Sequence, residues 1–333
     1  MGTPPSEFTD IDFSASRPLS EEPRIYVPPA PSYRMRPEPN WRYLILFLLT
    51  VVSTTYAGGL HYASFLVGFS ERIPDISLAS LLLHGLWYSV SILAILGCHE
   101  LGHYYACRYY RVDASRPYFL PMPFLLTGTL GAFIRIRAPI PGKRALFDIG
   151  IAGPIAGFIV ALPLLLGGMH MSTVVRVPPD FSGQVYELGE PLLFKAAEWL
   201  TFGTVPDGYS VNMHPMAFAA WFGMLATALN LFPIGQLDGG HISYAVLGRR
   251  STIVTMVMVL CLIGLTFVST SWLVWTVLTV VMLLTFGPNH PRTIDEDIPL
   301  DTDRLWLAAF AVLMFVLCFT PSPIQPSALM GRH

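Results

Sequence analysis

The chain has 333 residues, of which 53% are hydrophobic and only 13% charged, with a net charge of −2. A soluble domain carries about twice that share of charged residues, and the mean hydropathy of +0.53 excludes an ordinary water-soluble globular protein. A net charge this near zero singles out no partner, and nothing in the sequence suggests nucleic acid.

The first 40 residues form a polar, proline-rich arm that includes SRPLSEEPRIYVPPAPSYRMRPEPN. It lacks the apolar centre of a secretory signal, and its acidic residues do not suit an organelle transit peptide. A disordered cytosolic tail is expected.

Seven candidate spans follow, at about Trp41–Leu60, Leu78–Cys98, Phe147–Leu166, His214–Phe232, Thr252–Val268, Trp272–Phe286 and Leu305–Phe319. The fifth and sixth must form a hairpin. As one helix they would extend about 52 Å, against a hydrocarbon core of roughly 30 Å, and STSW at Ser269–Trp272 is the expected turn. The fold class is therefore an all-α polytopic membrane protein of six to seven transmembrane helices. Three segments are expected: the arm over 1–40, a transmembrane core over 41–286, and a C-terminal span with a short tail over 287–333. Within the core, the spans 78–105, 147–166 and 214–241 carry the chemistry.

The second span brings ionisable groups to membrane depth, where they are costly and commonly functional. ILGCHELGHYYA places His99, Glu100 and His103 before the apolar run has ended. Residues four apart share a helix face, so His99 and His103 can point at one ion. Zinc takes imidazole nitrogen and carboxylate oxygen in a tetrahedral shell, and a catalytic site leaves a position for water. Glu100 sits where it can take a proton from that water, the metalloprotease reading of HExxH. The flanking Cys98 and Cys107, like Cys261 and Cys318, occur singly and read as small helix residues rather than zinc ligands or disulfides.

After this span, GTLGAFIRIRAP alternates apolar and polar residues across Ala132–Arg137, as a strand does. A small cytoplasmic β-hairpin or re-entrant sheet is expected. An exposed strand edge there could hold an extended segment by β-addition. A plain cytosolic hairpin is the alternative. On the third span, Gly150, Gly153 and Gly157 fall at three- and four-residue steps and suit close helix approach.

The fourth span ends ALNLFPIGQLDGGHI. Pro233 and Gly235 break the helix, and irregular backbone at membrane depth must be buried in protein or line a wet cavity. Depth supplies a check. His84 to His99 is about 22 Å of helix and His214 to Phe232 about 27 Å, so both end near one level and Asp238 could reach the ion. A capping aspartate at a turn is the other reading. His241 could support the site from behind it, whereas His61, His84, His170 and His214 fall near the opposite ends of spans and receive no role.

Sixteen of the twenty Lys and Arg residues fall on one set of loops. The positive-inside rule puts that set, the N-terminus and the HELGH end of the second span in the cytoplasm, with the C-terminus outside.

HELGH, followed in a later span by NLFPIGQLDGG, resembles the site-2 protease family of intramembrane zinc metalloproteases. The second motif of that family is similar to Asn230, Pro233, Leu237, Asp238 and Gly239, and FDIGIAGPIAGF (147–158) resembles its small-residue helix. The resemblance implies one zinc per chain held by His99, His103 and Asp238, with Glu100 as the catalytic base. It also implies a transmembrane protein substrate, such as a membrane-tethered regulator, cut near the cytosolic side of the bilayer, with a bacterial plasma membrane as the expected location. Asn230 would be expensive unpaired in lipid and is assigned a catalytic oxyanion or substrate-backbone contact, with interhelical hydrogen bonding as the alternative. No PDZ domain is expected in the short loop over 167–213, and no regulatory domain is expected in the tail. The rival functions are a transporter with a broken-helix ion site and an inactive membrane scaffold.

Overall fold

A computed structural model describes residues 39–69, 75–124, 126–178, 186–287, 293, 295 and 298–326, so the proline-rich arm lies almost wholly outside the described residues. In chain order the elements are α1 (Asn40–Val67), α2 (Leu78–Tyr109), β1 (Tyr118–Pro121), β2 (Thr129–Phe133), α3 (Lys143–His170), β3 (Thr173–Arg176), β4 (Tyr186–Leu188) and α4 (Leu192–Phe202). They continue with β5 (Tyr209–Asn212), α5 (Pro215–Asn230), α6 (Asp238–Leu247), α7 (Ser251–Val268), α8 (Ser271–Phe286), α9 (Thr302–Cys318) and β6 (Ile324–Pro326).

Among the described residues, four helical runs are long and apolar enough to cross a membrane: α1, α2, α3 and the continuous run Asp238–Val268. In that run α6 passes into α7 through a single 3-10 turn at Gly248–Arg250. The other apolar helices, α5, α8 and α9, have 16, 16 and 17 residues, short of the about 20 that a typical crossing uses. The described residues are thus mostly helical, with three small antiparallel strand pairs among them, β1–β2, β3–β5 and β4–β6.

Small residues let the long helices touch backbone to backbone. A Cβ added at Gly85 would lie 2.3 Å from the Thr55 carbonyl of α1, and one at Gly102 would lie 2.4 Å from the Ala152 carbonyl of α3. With lipid as apolar as Leu, close packing of this kind and interhelical hydrogen bonds hold such helices together; Thr54 and Ser89 supply one at 2.7 Å. α3 stays helical through Pro154 and Pro163. α7 and α8 form the expected hairpin, with the break at Ser269–Thr270 and a Thr266–Thr276 hydroxyl contact of 3.1 Å beside it.

The hairpin β1–β2 pairs Phe119 with Ala132 and Leu120 with Gly131. Its pairing extends through Ser115 N–H to the Arg135 carbonyl and Arg137 N–H to the Asp113 carbonyl. Its tip lies between α1 and α2. His61 Nε2 donates to the Leu126 carbonyl at 2.7 Å, the Tyr88 hydroxyl donates to the Thr127 carbonyl at 3.0 Å, and Gly128 abuts the Ser53 carbonyl. The hairpin tip is therefore held against α1 and α2 rather than standing free of the helices. His61 is not at the end of its helix, because α1 continues to Val67 and turns the imidazole inward against Tyr88 and Phe218.

Candidate metal centre

α2 presents His99, Glu100 and His103, all buried, and α6 begins with Asp238. Between α5 and α6 the chain breaks over Leu231–Leu237. Gly235 takes a positive φ of 51°, and the Thr255 hydroxyl satisfies the Pro233 carbonyl at 3.0 Å. The glycine pair after the aspartate is required by contact. A Cβ at Gly239 would stand 2.0 Å from the Leu231 carbonyl, and one at Gly240 would stand 2.2 Å from the Gly235 carbonyl. The start of α6 is thereby tucked beneath the break and carries Asp238 to the level of the histidines.

His99 Nε2 and His103 Nε2 are 3.1 Å apart, and each is 3.3 Å from Asp238 Oδ2. Four-coordinate zinc with bonds of about 2.0–2.2 Å separates its ligand atoms by about 3.3–3.6 Å, so the triangle fits such an ion with little adjustment. Two imidazoles and a carboxylate are also the donor set of a catalytic rather than a closed structural site. Among the described residues, His99, His103 and Asp238 form the one His, Cys, Asp and Glu group of metal-binding geometry. Glu100 stands outside it.

α3 supplies the seat for His103. His103 Nδ1 donates to the Ile149 carbonyl at 2.7 Å, which fixes the tautomer and leaves the Nε2 lone pair facing His99 and Asp238. One turn on, Gly153 leaves room for the ring, and Gly157 does the same beneath His99, whose Cβ would lie 3.2 Å from an added methyl. The glycine steps expected to serve close packing thus lie directly against the candidate ligands.

The triangle opens onto a cavity of about 250 Å³ lined by His99, Glu100 and His103, by Ala132, Ile134 and Ile136, and by Asn230, Gln236, Asp238 and His241. The backbone of Ile134 hydrogen-bonds to Glu100. Because Arg135 and Arg137 pair toward β1, alternation turns the backbone groups of Ile134 and Ile136 toward the cavity. Asn230 Nδ2 lies 3.2 Å from His99 Nε2. Every residue expected at the site is brought to one cavity. Two features were not foreseen: the Ile149 carbonyl behind His103 and the tie between Ile134 and Glu100. Both are backbone contacts and leave no side-chain signal in a sequence.

Residues 87–269, just over half of the chain, match the description of peptidase family M50. The chain is 31% identical over 258 residues to a probable zinc metalloprotease EGY2, chloroplastic, of Oryza sativa subsp. indica, covering 75% of this chain and 45% of that one. It is 27% identical over 308 residues to a probable zinc metalloprotease EGY1, chloroplastic, of Arabidopsis thaliana, covering 86% and 54%. A probable zinc metallopeptidase EGY3, chloroplastic, of Arabidopsis thaliana is 27% identical over 243 residues, covering 68% and 40%. The chain spans about half the length of these relatives or less. No solved structure matches it.

Proposed function

Because this chain belongs to peptidase family M50, we propose that it is an intramembrane zinc endopeptidase that cuts transmembrane segments of membrane proteins. The observation that carries the reading is the triangle of His99, His103 and Asp238 within an apolar helical protein, with Glu100 beside it but not part of it.

Zinc held by those three side chains would supply a Lewis acid that polarises the scissile carbonyl and makes water more acidic. The chain does the rest. Glu100, held by the Ile134 backbone, takes a proton from the attacking water and returns it to the leaving amine. Asn230 contributes an amide donor near His99 Nε2. With that nitrogen committed to an ion, the donor is available to the oxygen on which charge develops. The cavity edge of β2 and its extension to Ile136 receives the unwound substrate as an added strand, which sets a scissile bond opposite Glu100.

In this reading α5, α8 and α9 also cross the bilayer, giving seven spans. The pairing of β4 with β6, Leu188 against Ile324, supports the count, since an even number of crossings between them returns the chain to the same side. The positive-inside rule then puts the metal-centre end of α2 in the cytoplasm and β4–β6 outside, so cleavage occurs near the cytosolic face and the substrates include membrane-tethered regulators. The arm over 1–40 and the segment 287–333 flank the protease core. The test is cleavage of a membrane-embedded substrate by the purified protein, with zinc counted on the same preparation. A transporter built on the same ligands would move ions and cut nothing.

A further inference from the structure

The family match ends at residue 269, yet α9 reaches back to α3, the helix that seats His103. Arg304, in its first turn, grips Asp148 of α3 with two donors, Nε to Oδ1 at 2.8 Å and a terminal nitrogen to Oδ2 at 2.5 Å. The Tyr110 hydroxyl, at the end of α2, donates to the same Oδ2, and Arg304 lies 3.3 Å from that hydroxyl. Asp301 caps α9 through Arg304 N–H at 3.0 Å and also pairs with the Arg304 guanidinium.

The same segment closes over the start of α3. The N-cap position there is Gly142, which has no side chain to offer. Asp295 supplies the missing acceptor across 152 residues, its Oδ1 taking the Lys143 N–H at 2.8 Å, while Lys143 Nζ donates to the Ile298 carbonyl at 2.9 Å. A carboxylate at a helix N-terminus both satisfies an orphan donor and complements the dipole.

These contacts converge one residue from the seat of His103. Asp148 is followed by Ile149, whose carbonyl takes the His103 Nδ1 proton at 2.7 Å, and Gly153 lies against the ring on the next turn. The height and rotation of the first turns of α3 therefore decide where the His103 nitrogen points. Asp148 is joined at once to the end of α2 and to α9, and a planar guanidinium gripping both carboxylate oxygens fixes direction as well as distance.

Resting on the metal-centre reading above, we infer that Arg304 is a positioning residue for the metal site: through Asp148 it sets the α3 carbonyl that orients His103. The C-terminal helix is then a working part of the metal centre, although it lies outside the residues that define the family.

The experiment uses the full chain in detergent and measures the metal dissociation constant by chelator competition, together with the absorption of the cobalt-substituted protein. Arg304→Gln is expected to weaken metal binding severalfold, up to about the tenfold that is the low end for losing a ligand's direct partner, because it acts one link behind the Ile149 carbonyl, and to shift the cobalt spectrum. Arg304→Lys, which keeps one donor, recovers part of the loss. Tyr110→Phe removes a single hydroxyl from Asp148 and shifts affinity the same way by less, and it serves if Arg304→Gln does not fold. A purely structural role would lower the melting temperature of these variants and leave metal affinity and spectrum as in the wild type; that result overturns the inference. His99→Ala in the same assay separates the two claims. If it loses the metal while the Arg304 and Tyr110 variants keep it, only the positioning role falls; if it keeps the metal, the metal centre itself falls and takes this inference with it.

Discussion

A Cβ placed on Gly153 would lie 2.1 Å from His103 Nε2 and 2.5 Å from two ring carbons, so the nitrogen that faces His99 and Asp238 rests against a backbone position where only glycine fits. Gly153→Ala should displace the imidazole. The overpacking itself costs about 1–3 kcal/mol, and the loss of metal should exceed what that destabilisation explains. Metal content per folded molecule, set beside the melting temperature, checks this. A variant with lowered stability and full metal content would show that the ring can move without consequence.

The ligand set makes a sharper demand. His99→Ala and Asp238→Ala should each lose most of the bound zinc, because two donors are left where the triangle has three. Elemental analysis of purified protein reads this directly, and full retention in both variants would remove the assignment.

The tip of the β1–β2 hairpin is held by Tyr88, which donates to the Thr127 carbonyl, and by His61 on Leu126. Tyr88→Phe leaves that partly buried carbonyl without its donor, a loss of about 1 kcal/mol. Since the strand edge is proposed to hold substrate, KM for a membrane-embedded substrate should rise while zinc content stays unchanged. An unaltered KM would separate the hairpin from substrate binding.

Orientation is testable independently of chemistry. A reporter inserted after Arg144 or Arg250 should read as cytoplasmic, and one after Asp207, in the connection between α4 and β5, as external. The reversed pattern would put the metal centre on the other face of the membrane.

The grouping of His99, His103 and Asp238 was legible in the sequence because its logic is local. His99 and His103 are one helical turn apart, and Asp238 follows a break that Pro233 and Gly235 announce. The hairpin at Ser269–Trp272 was legible for a similar reason, since a helix through it would overrun the bilayer. The start of α6 was less so: the sequence offered Asp238 as a cap at a turn and gave no role to the two glycines after it, whereas an added Cβ there would stand 2.0 and 2.2 Å from the Leu231 and Gly235 carbonyls. Arg304 and Asp148 lay out of reach. They are 156 residues apart, no periodicity links them, and an arginine at a helix start pairs according to what packs beside it. The alternation across Ala132–Arg137 marked extended chain, but it shares only Ala132 and Phe133 with β2 (Thr129–Phe133) and continues to the bridge at Ile136. The seat of the hairpin tip depends on His61 and Tyr88, whose partners are backbone carbonyls.

The most direct test is Glu100→Gln, with zinc and proteolysis measured on one preparation. Glutamine keeps the size and hydrogen-bonding capacity of the side chain but cannot accept the proton of the attacking water. Because Glu100 is not part of the ligand triangle, zinc should remain near one per chain. Loss of a general base commonly costs 10²–10⁴-fold, so cleavage of a membrane-embedded substrate should fall to about one per cent or less. Zinc retained with undiminished cleavage would contradict the role of Glu100, and zinc retained in a wild-type protein that cuts no peptide bond would contradict the protease itself.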